Sequence, residues 1–383
     1  MKLLWKVLKK IALGLLVVIA AGIAALAVTI SYTSECPPPP EIAVEGETMQ
    51  AVMSRCYGGP EVLSLEDVPK PEPSGNEVLV RVHAAAVNPL DWHYMRGSPY
   101  FMRLEAGIGA PSDPTMGVDF AGTVESVGAD VTRFEVGDAV FGGRSGAFAE
   151  YVLIPEDRAI AHMPDNVSFE QAASLPIAAI TALQALRDKG KLQSEQRVLI
   201  NGASGGVGTF AVQIAESFGA EVHGVCSTRN VEMVTALGAD YVFDYTKESY
   251  IESGEQYDLI VDMVGNHSPS ANLDVLADDG TLVIVGGAKG DWLGPMIRPL
   301  QAMIMSPFVD QEMITLLARM NADDLATLAD LLESGDVAVQ IDRRFSLEEV
   351  PEAIRYSETG RARGKIIINV LDEVGIDPSV TGQ

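Results

Sequence analysis

The sequence predicts an α/β protein in which one N-terminal transmembrane helix precedes a β-rich lobe and a doubly wound parallel sheet. Three observations carry this expectation. Residues 11–30 form an unbroken apolar run, the texture changes near residue 172 from short alternating runs to strands alternating with helices, and a glycine-rich turn joins an apolar strand to a helix at residues 202–208. With 383 residues the chain also exceeds what one ordinary core accommodates, so two lobes are expected.

Residues 1–10 are a basic flank carrying Lys2, Lys6, Lys9 and Lys10. Residues 11–30 read IALGLLVVIAAGIAALAVTI, with Thr29 the only polar side chain, and as a helix the run is about 30 Å long, which matches a bilayer core. Its apolar residues surround the helix instead of forming one stripe, which disfavours a surface or in-plane helix. The transmembrane element is drawn over residues 11–32. A cleaved signal peptide competes with it, because Ala25-Leu26-Ala27 resembles a small-residue cleavage site, but the run exceeds the usual signal core. No Lys or Arg follows the span until Arg55, so the charge rule puts the N-terminus in the cytoplasm and the body on the other side. Residues 33–49 are a spacer built around the stiff Pro37-Pro38-Pro39-Pro40, and Cys36 reads as a plain linker cysteine. Three widely separated cysteines supply no paired framework for a disulfide-built domain.

Composition excludes some partners. The chain holds 53 acidic against 27 basic residues, a net charge of −26, and a body this acidic repels phosphate backbones and anionic lipid surfaces. A nucleic-acid partner is not expected. The acidity reads as a solubilising surface.

The folded body starts near Gln50. Residues 50–171 contain short alternating runs such as Val78-Leu79-Val80-Arg81-Val82 and Thr123-Val124-Glu125-Ser126-Val127, separated by Gly-Asp and Pro-rich turns, which predict a compact β-rich lobe. Residues 172–340 alternate strands at 197–201, 221–225, 259–264 and 281–285 with helices, the pattern of a parallel sheet. Residues 341–371 end in the strand Lys365-Ile366-Ile367-Ile368-Asn369-Val370, which is expected to return to the first lobe, and 372–383 form a tail. The apolar stretch 300–317 contains Met303, Met305 and Met313 but is interrupted by Pro307, Asp310 and Glu312, so it reads as core or interface packing, with a hydrophobic substrate mouth as the alternative.

The apolar strand Val198-Leu199-Ile200 leads into Asn201-Gly202-Ala203-Ser204-Gly205-Gly206-Val207-Gly208, and a helix follows without a breaker. In such a turn Gly202 makes the tight exit from the strand, Gly205 lets the backbone approach a pyrophosphate, and Gly208 lets the helix pack closely on the sheet. The helix N-terminus then faces the phosphates with its unpaired amides and positive dipole end, and Ser204, Gly206 and Val207 are counted with the glycines as cofactor-binding. This is the Rossmann arrangement for a dinucleotide. At the end of the second strand an NAD site would place a carboxylate on the ribose, but this chain has Ser227, Thr228 and Arg229. Two hydroxyls and a guanidinium favour a 2′-phosphate, and therefore NADPH.

At this point the chain resembles the medium-chain dehydrogenase/reductase superfamily, in its zinc-free quinone oxidoreductase branch, which includes the reticulon-interacting mitochondrial type. The resemblance spans residues 50–370. It is carried by Tyr57-Gly58-Gly59-Pro60-Glu61-Val62-Leu63, Val87-Asn88-Pro89-Leu90-Asp91-Trp92, Gly117-Val118-Asp119-Phe120-Ala121-Gly122, Gly146-Ala147-Phe148-Ala149-Glu150-Tyr151, the glycine turn and Arg363-Gly364-Lys365. It implies a GroES-like substrate lobe, a Rossmann lobe, a cofactor in the cleft between them, and a homodimer formed by edge-strand pairing. It further implies that Thr181 contacts the cofactor, that Tyr245 lies near the adenosine phosphate, that Val264, Gly265, Val285, Gly286 and Gly287 border ribose and nicotinamide, and that Lys365 either reaches the cleft or only starts the last strand.

The zinc-dependent members place a cysteine where Asn88 stands and Gly-His-Glu where Gly117-Val118-Asp119 stands, so no catalytic metal is expected. The histidines at 83, 162, 223 and 267 show no ligand spacing. Without a Lewis acid, removing the hydroxyl proton of an alcohol is costly, and reduction of an activated acceptor is easier. A quinone or an α,β-unsaturated carbonyl takes hydride at a conjugated carbon, and hydrogen-bond donors can hold the oxyanion. Asn88 is the expected donor, with Tyr94 or His93 as proton source or pocket wall. Enoyl reduction is a second enzyme reading, and a membrane-anchored assembly protein that keeps NADPH with little turnover is the reading from another class. NADPH supply argues for a cytosolic body, which opposes the lysine argument.

Overall fold

The computed structural model describes residues 2–38, 46–287, 290–292 and 294–371. The tail expected at 372–383 and part of the expected spacer lie outside the described residues.

A helix over Lys2–Ser31 opens the chain, and its stretch Leu8–Ser31 is long and apolar enough to cross a membrane. None of that stretch's most apolar window packs against the body. Two antiparallel strands follow, β1 (Thr48–Ser54) and β2 (Leu63–Pro69). The first large sheet is built on β3 (Glu77–Val87), β4 (Asp119–Val127), β5 (Ala139–Gly143), β6 (Tyr151–Pro155) and β7 (Ile160–His162). On β3, Val78, Val80 and Val82 share one buried cluster while Arg81 is exposed, so alternation sets which face meets the core.

The second sheet contains β8 (Arg197–Asn201), β9 (Glu221–Cys226), β10 (Tyr241–Asp244), β11 (Tyr257–Asp262), β12 (Leu276–Ile284) and β13 (Glu312–Thr315). Its six strands run parallel in the order β10-β9-β8-β11-β12-β13. Helices cover both faces, which explains the continuous apolar texture: Val198 and Ile200 enter one buried cluster and Leu199 another. The strand order reverses between β8 and β11, and the crevice beyond their C-terminal ends is where ligands bind in such sheets.

The last strands, β14 (Ile341–Ser346) and β15 (Lys365–Asn369), join the first sheet, which reads β14-β15-β3-β4-β5-β7 with β6 on β3. The chain therefore crosses between lobes twice and brings residue 365 beside residue 87.

Two expectations are corrected. Cys36 is not a plain linker cysteine, because it forms a disulfide with Cys56, which is buried just after β1. The start of the expected spacer is also fastened, with Thr33 bridged to Gly109 and Ser34 N–H donating to the Gly109 carbonyl at 2.8 Å. The methionine-rich stretch is core only in part, since Ala302 and Leu316 are buried and Met313 packs against the core while most of the rest faces outward. Helix Gly294–Met305 buries Arg298 and Ala302 and turns Leu300, Met303 and Ile304 outward, because Arg298 is held inward by an ion pair with Asp262.

Candidate functional site

β8 ends at Asn201, and the chain leaves it through Gly202 at φ +97°, a left-handed conformation that glycine adopts without strain. The Gly205 N–H donates to the Gly202 carbonyl at 3.1 Å and closes the turn, after which helix Gly206–Ser217 begins. Gly208 has no room for a side chain, since a Cβ there would stand 2.1 Å from the Gly202 carbonyl oxygen. Gly205 differs: its nearest neighbour would be that same oxygen at 3.5 Å. The backbone is thus open where a phosphate would approach, and the first amides of a 12-residue helix lie beside the opening. The chain's own residues fit a dinucleotide pyrophosphate.

The other lobe reaches this turn through β15. The Gly364 N–H donates to the Ser204 carbonyl at 3.0 Å, and a Cβ on Gly206 would meet Cδ of Lys365 at 3.3 Å. Lys365 both starts the strand and points into the junction, where it is 2% exposed. Its Nζ donates to Asn88 Oδ1 at 2.7 Å and lies 3.4 Å from Asp119 Oδ2. Asn88 Nδ2 donates to Asp119 Oδ2 at 2.8 Å and to the Ala86 carbonyl at 3.2 Å. Both amide hydrogens of Asn88 are therefore engaged, and oxyanion donation would require one to be released. Asp119 Oδ1 accepts the Ile177 N–H at 3.0 Å. Burial pushes the Asp119 carboxyl up and the Lys365 ammonium down, each against the other's attraction.

Asn88 also precedes helix Pro89–Arg96, and its N–H donates to Asp91 Oδ2 at 2.6 Å. Asp91 Oδ1 is buried with no hydrogen-bond partner, and burial raises this carboxyl from 3.8 to about 8. The folded chain therefore keeps a proton that the unfolded chain releases near pH 4, so stability from this group falls as pH rises from about 4 to about 8. Asp91→Asn keeps an acceptor for the Asn88 N–H without a charge. Its melting curve is expected to show a gain over the unmodified chain of about 1–3 kcal/mol at pH 8.5 and little gain at pH 4; an equal effect at both pH values would contradict the assignment.

On the same helix, His93 Nδ1 lies 2.6 Å from the Ser98 carbonyl and must carry the hydrogen, which makes Nε2 the acceptor nitrogen of the neutral ring. Tyr94 is 46% exposed.

At the end of β9, Asn230 Nδ2 ties Ser204 Oγ at 2.9 Å to Ser227 Oγ at 3.3 Å, so the glycine turn and the second strand's loop are joined. The Thr228 hydroxyl donates to Asp244 Oδ2 at 2.6 Å. Hydrogen bonds from Lys247, Thr228 and Thr246 hold Asp244 well below the usual carboxylate range, and Lys247 Nζ at 2.8 Å balances its charge. Arg229 is exposed and donates to the Arg361 carbonyl at 2.7 Å. Tyr245 lies nearby, 61% exposed.

A third cluster supports the crevice loops. Asp262 Oδ1 accepts from Asn201 Nδ2 at 2.9 Å and from the N–H groups of Val264 and Gly265 at 3.1 and 2.9 Å, while Oδ2 meets Arg298 at 2.5 Å. The Val285 and Gly286 N–H groups bond the Asp262 carbonyl, and Gly287 approaches Gly265 closely enough that a Cβ on the latter would lie 3.2 Å from its Cα. Thr181 is nearly buried and its hydroxyl donates to the Ile177 carbonyl at 2.6 Å.

Sequence reasoning missed Asp262, Arg298, Asn230 and Asp244 as supports. A readable signal existed for Asp262, an acid that closes the apolar run Leu259-Ile260-Val261 at the C-terminal end of its strand. An open polar cavity of about 810 Å³, lined by Gln184, Arg187, Arg319 and Asp324, shares no residue with the glycine turn and lies in a separate ion-pair network. Among the described residues, no three His, Cys, Asp or Glu side chains gather so as to hold a metal ion.

Two family models match: an alcohol dehydrogenase GroES-like domain over residues 74–165 and a zinc-binding dehydrogenase over residues 237–368. The mitochondrial NAD(P)H oxidoreductase RTN4IP1 of Mus musculus is 33% identical over 345 residues, covering 77% of this chain and 82% of that protein. A quinone oxidoreductase of Pseudomonas aeruginosa is 33% identical over 325 residues, covering 82% of this chain and 97% of its own. The solved quinone oxidoreductase from Coxiella burnetii superposes with a TM-score of 0.76 at 32% identity, over 85% of this chain and 100% of that one. With a GroES-like β lobe, a six-stranded parallel Rossmann sheet and relatives that match along most of their length, this chain belongs to the medium-chain dehydrogenase/reductase superfamily and is a reductase of its quinone oxidoreductase branch.

Proposed function

We propose that the chain is a membrane-anchored, zinc-independent reductase that uses NADPH to reduce a quinone or another α,β-unsaturated carbonyl. The observation that carries the proposal is the open backbone at Gly205, set at a helix N-terminus and against the Lys365–Asn88 junction of the other lobe. When bound, the reduced nicotinamide supplies hydride. Gly202, Ser204, Gly205, Gly206, Val207 and Gly208 hold the pyrophosphate, and Val264, Gly265, Val285, Gly286, Gly287 and Thr181 border ribose and nicotinamide. Ser227 and Arg229 receive the 2′-phosphate, with Tyr245 beside them, while Thr228 acts by fixing Asp244. Tyr94 delivers the proton to the acceptor through its exposed phenol, and His93, whose Nδ1 hydrogen is committed to the Ser98 carbonyl, forms pocket wall. Asn88 acts by holding Lys365 under the glycine turn. An unpaired outer edge on β13 among the described strands supports a homodimer.

Initial rates with NADPH against quinones, enals and saturated ketones, set beside NADP⁺ with simple alcohols, test the reaction class. Turnover is expected with the conjugated acceptors. Turnover with alcohols alone would overturn the reading. For the cofactor, Arg229→Glu is expected to weaken NADPH by about 10- to 100-fold in a binding titration and NADH much less; equal loss for both would remove Arg229 from the 2′-phosphate.

The apolar helix is proposed to span a membrane. The lysine flank and the Cys36–Cys56 disulfide favour a body on the oxidising side, and NADPH supply favours the cytosol. A bulky maleimide decides between them in intact cells: labelling of Cys36 and Cys56 only after reduction assigns the oxidising side, and labelling without reduction assigns the cytosol.

A further inference from the structure

The C-terminal end of the apolar helix is not simply connected to the body; it is socketed in it. Arg103, 3% exposed, is sandwiched between the rings of Tyr57 and Tyr100 at 4.3 and 4.5 Å. Its Nη1 donates to the Ile30, Ser31 and Tyr32 carbonyls at 3.3, 3.3 and 2.9 Å and to Thr33 Oγ1 at 3.1 Å. A guanidinium at this place satisfies carbonyls that the helix itself leaves open and meets the negative end of its dipole. Nε and Nη2 of the same side chain donate to the Gly97 and Arg96 carbonyls, so one residue fastens the helix end to segment 97–112. The Tyr32 ring packs on Gly109, and the Cys36–Cys56 bond closes the attachment.

This attachment fixes depth. The 24-residue stretch Leu8–Ser31 is about 36 Å long as a helix, slightly more than a bilayer core, so its Ser31 end lies at the lipid–water boundary. Segment 97–112 touches that end and must lie at the same level. On it, Phe101, Leu104 and Ile108 are 43, 60 and 52% exposed, an apolar set that the lobe leaves about half uncovered. We propose that Phe101, Leu104 and Ile108 insert into the headgroup region of the bilayer, seating the substrate lobe on the membrane. The proposal rests on the reading that residues 8–31 span a membrane. The lipid it fits is zwitterionic, since the chain carries a charge of −26 and exposes Glu105 beside the patch. The seated segment directly follows helix Pro89–Arg96, which bears His93 and Tyr94, and it bonds Asp291 from the other lobe through the Ser98 hydroxyl and the Tyr100 N–H at 2.7 Å each. Seating would therefore turn the acceptor side of the cleft toward the bilayer that dissolves lipophilic quinones.

The test uses the full chain in phosphatidylcholine nanodiscs, with an environment-sensitive fluorophore on Leu104→Cys and, as a control, on Glu333→Cys. Cys226 is buried and the other two cysteines are bonded, so the new thiol takes the label. Emission from position 104 is expected to shift to the blue and to be largely quenched by lipids spin-labelled near the headgroup, while position 333 shows neither. If position 104 behaves like position 333 and the chain still resists alkaline carbonate extraction, the span stands and the seating is wrong. If carbonate releases the chain, the span itself is wrong and the seating falls with it.

Discussion

Replacing Lys365 by methionine is expected to destabilise the chain by about 3–5 kcal/mol at pH 8, because it leaves the Asp119 carboxylate buried without its cation. Lys365 and Asp119 are 2% and 0% exposed, so water cannot take over the missing contact. Burial raises the Asp119 pKa, and its carboxyl can take up a proton instead of remaining charged, so the loss is expected to shrink as pH falls. The double variant Lys365→Met with Asp119→Asn removes both charges and is expected to recover most of the stability. Denaturant unfolding of the three proteins at pH 5.5 and pH 8 checks this. A double variant no more stable than the single one would show that the ion pair is not what the junction depends on.

The second large effect separates two glycines of one turn. Gly208→Val drives a Cβ to within 2.1 Å of backbone, which no side-chain rotation relieves, so the crossover helix must part from β8 and stability should fall by more than about 3 kcal/mol. A Cβ on Gly205 meets nothing closer than 3.5 Å, and its φ of −85° and ψ of 177° suit any residue. The Gly205→Val variant is expected to melt within about 1 kcal/mol of the unmodified chain. Its methyl groups would stand where the proposed pyrophosphate meets the helix amides, so NADPH affinity is expected to drop by about 100-fold or more. Thermal melting with a fluorescence titration of NADPH reads both quantities. Unchanged NADPH affinity in Gly205→Val would move the pyrophosphate away from this turn.

What could be read in the sequence was local. The glycine turn is a contiguous motif whose every residue contributes to one loop, and the apolar run 198–200 follows from a strand covered on both faces. The missing carboxylate at Ser227-Thr228-Arg229 is equally local. What could not be read depends on pairings between distant residues. Lys365 meets Asn88 across 277 positions, and Arg103 reaches the end of the apolar helix across more than 70. A lysine or arginine in a sequence defaults to the surface, and only the fold reveals that these two are buried with partners. Cys36 belongs to the same class, since its partner follows a proline-rich stretch that carries no pairing signal. Asp244 qualifies the cofactor argument in the same way: a carboxylate absent from the β9 loop is supplied by the next strand, where Lys247 balances it.

The most direct test of the account is a single turnover. The full chain, loaded with one equivalent of NADPH, is mixed in a stopped-flow instrument with a panel of quinones and enals while nicotinamide absorbance is followed. The account predicts oxidation of the bound cofactor, one acceptor reduced per NADPH, at a rate that rises with acceptor concentration and slows when the transferred hydrogen is deuterium. Tight NADPH binding with no acceptor-dependent oxidation by any member of the panel would contradict it, and would leave the chain as an anchored NADPH-binding assembly protein.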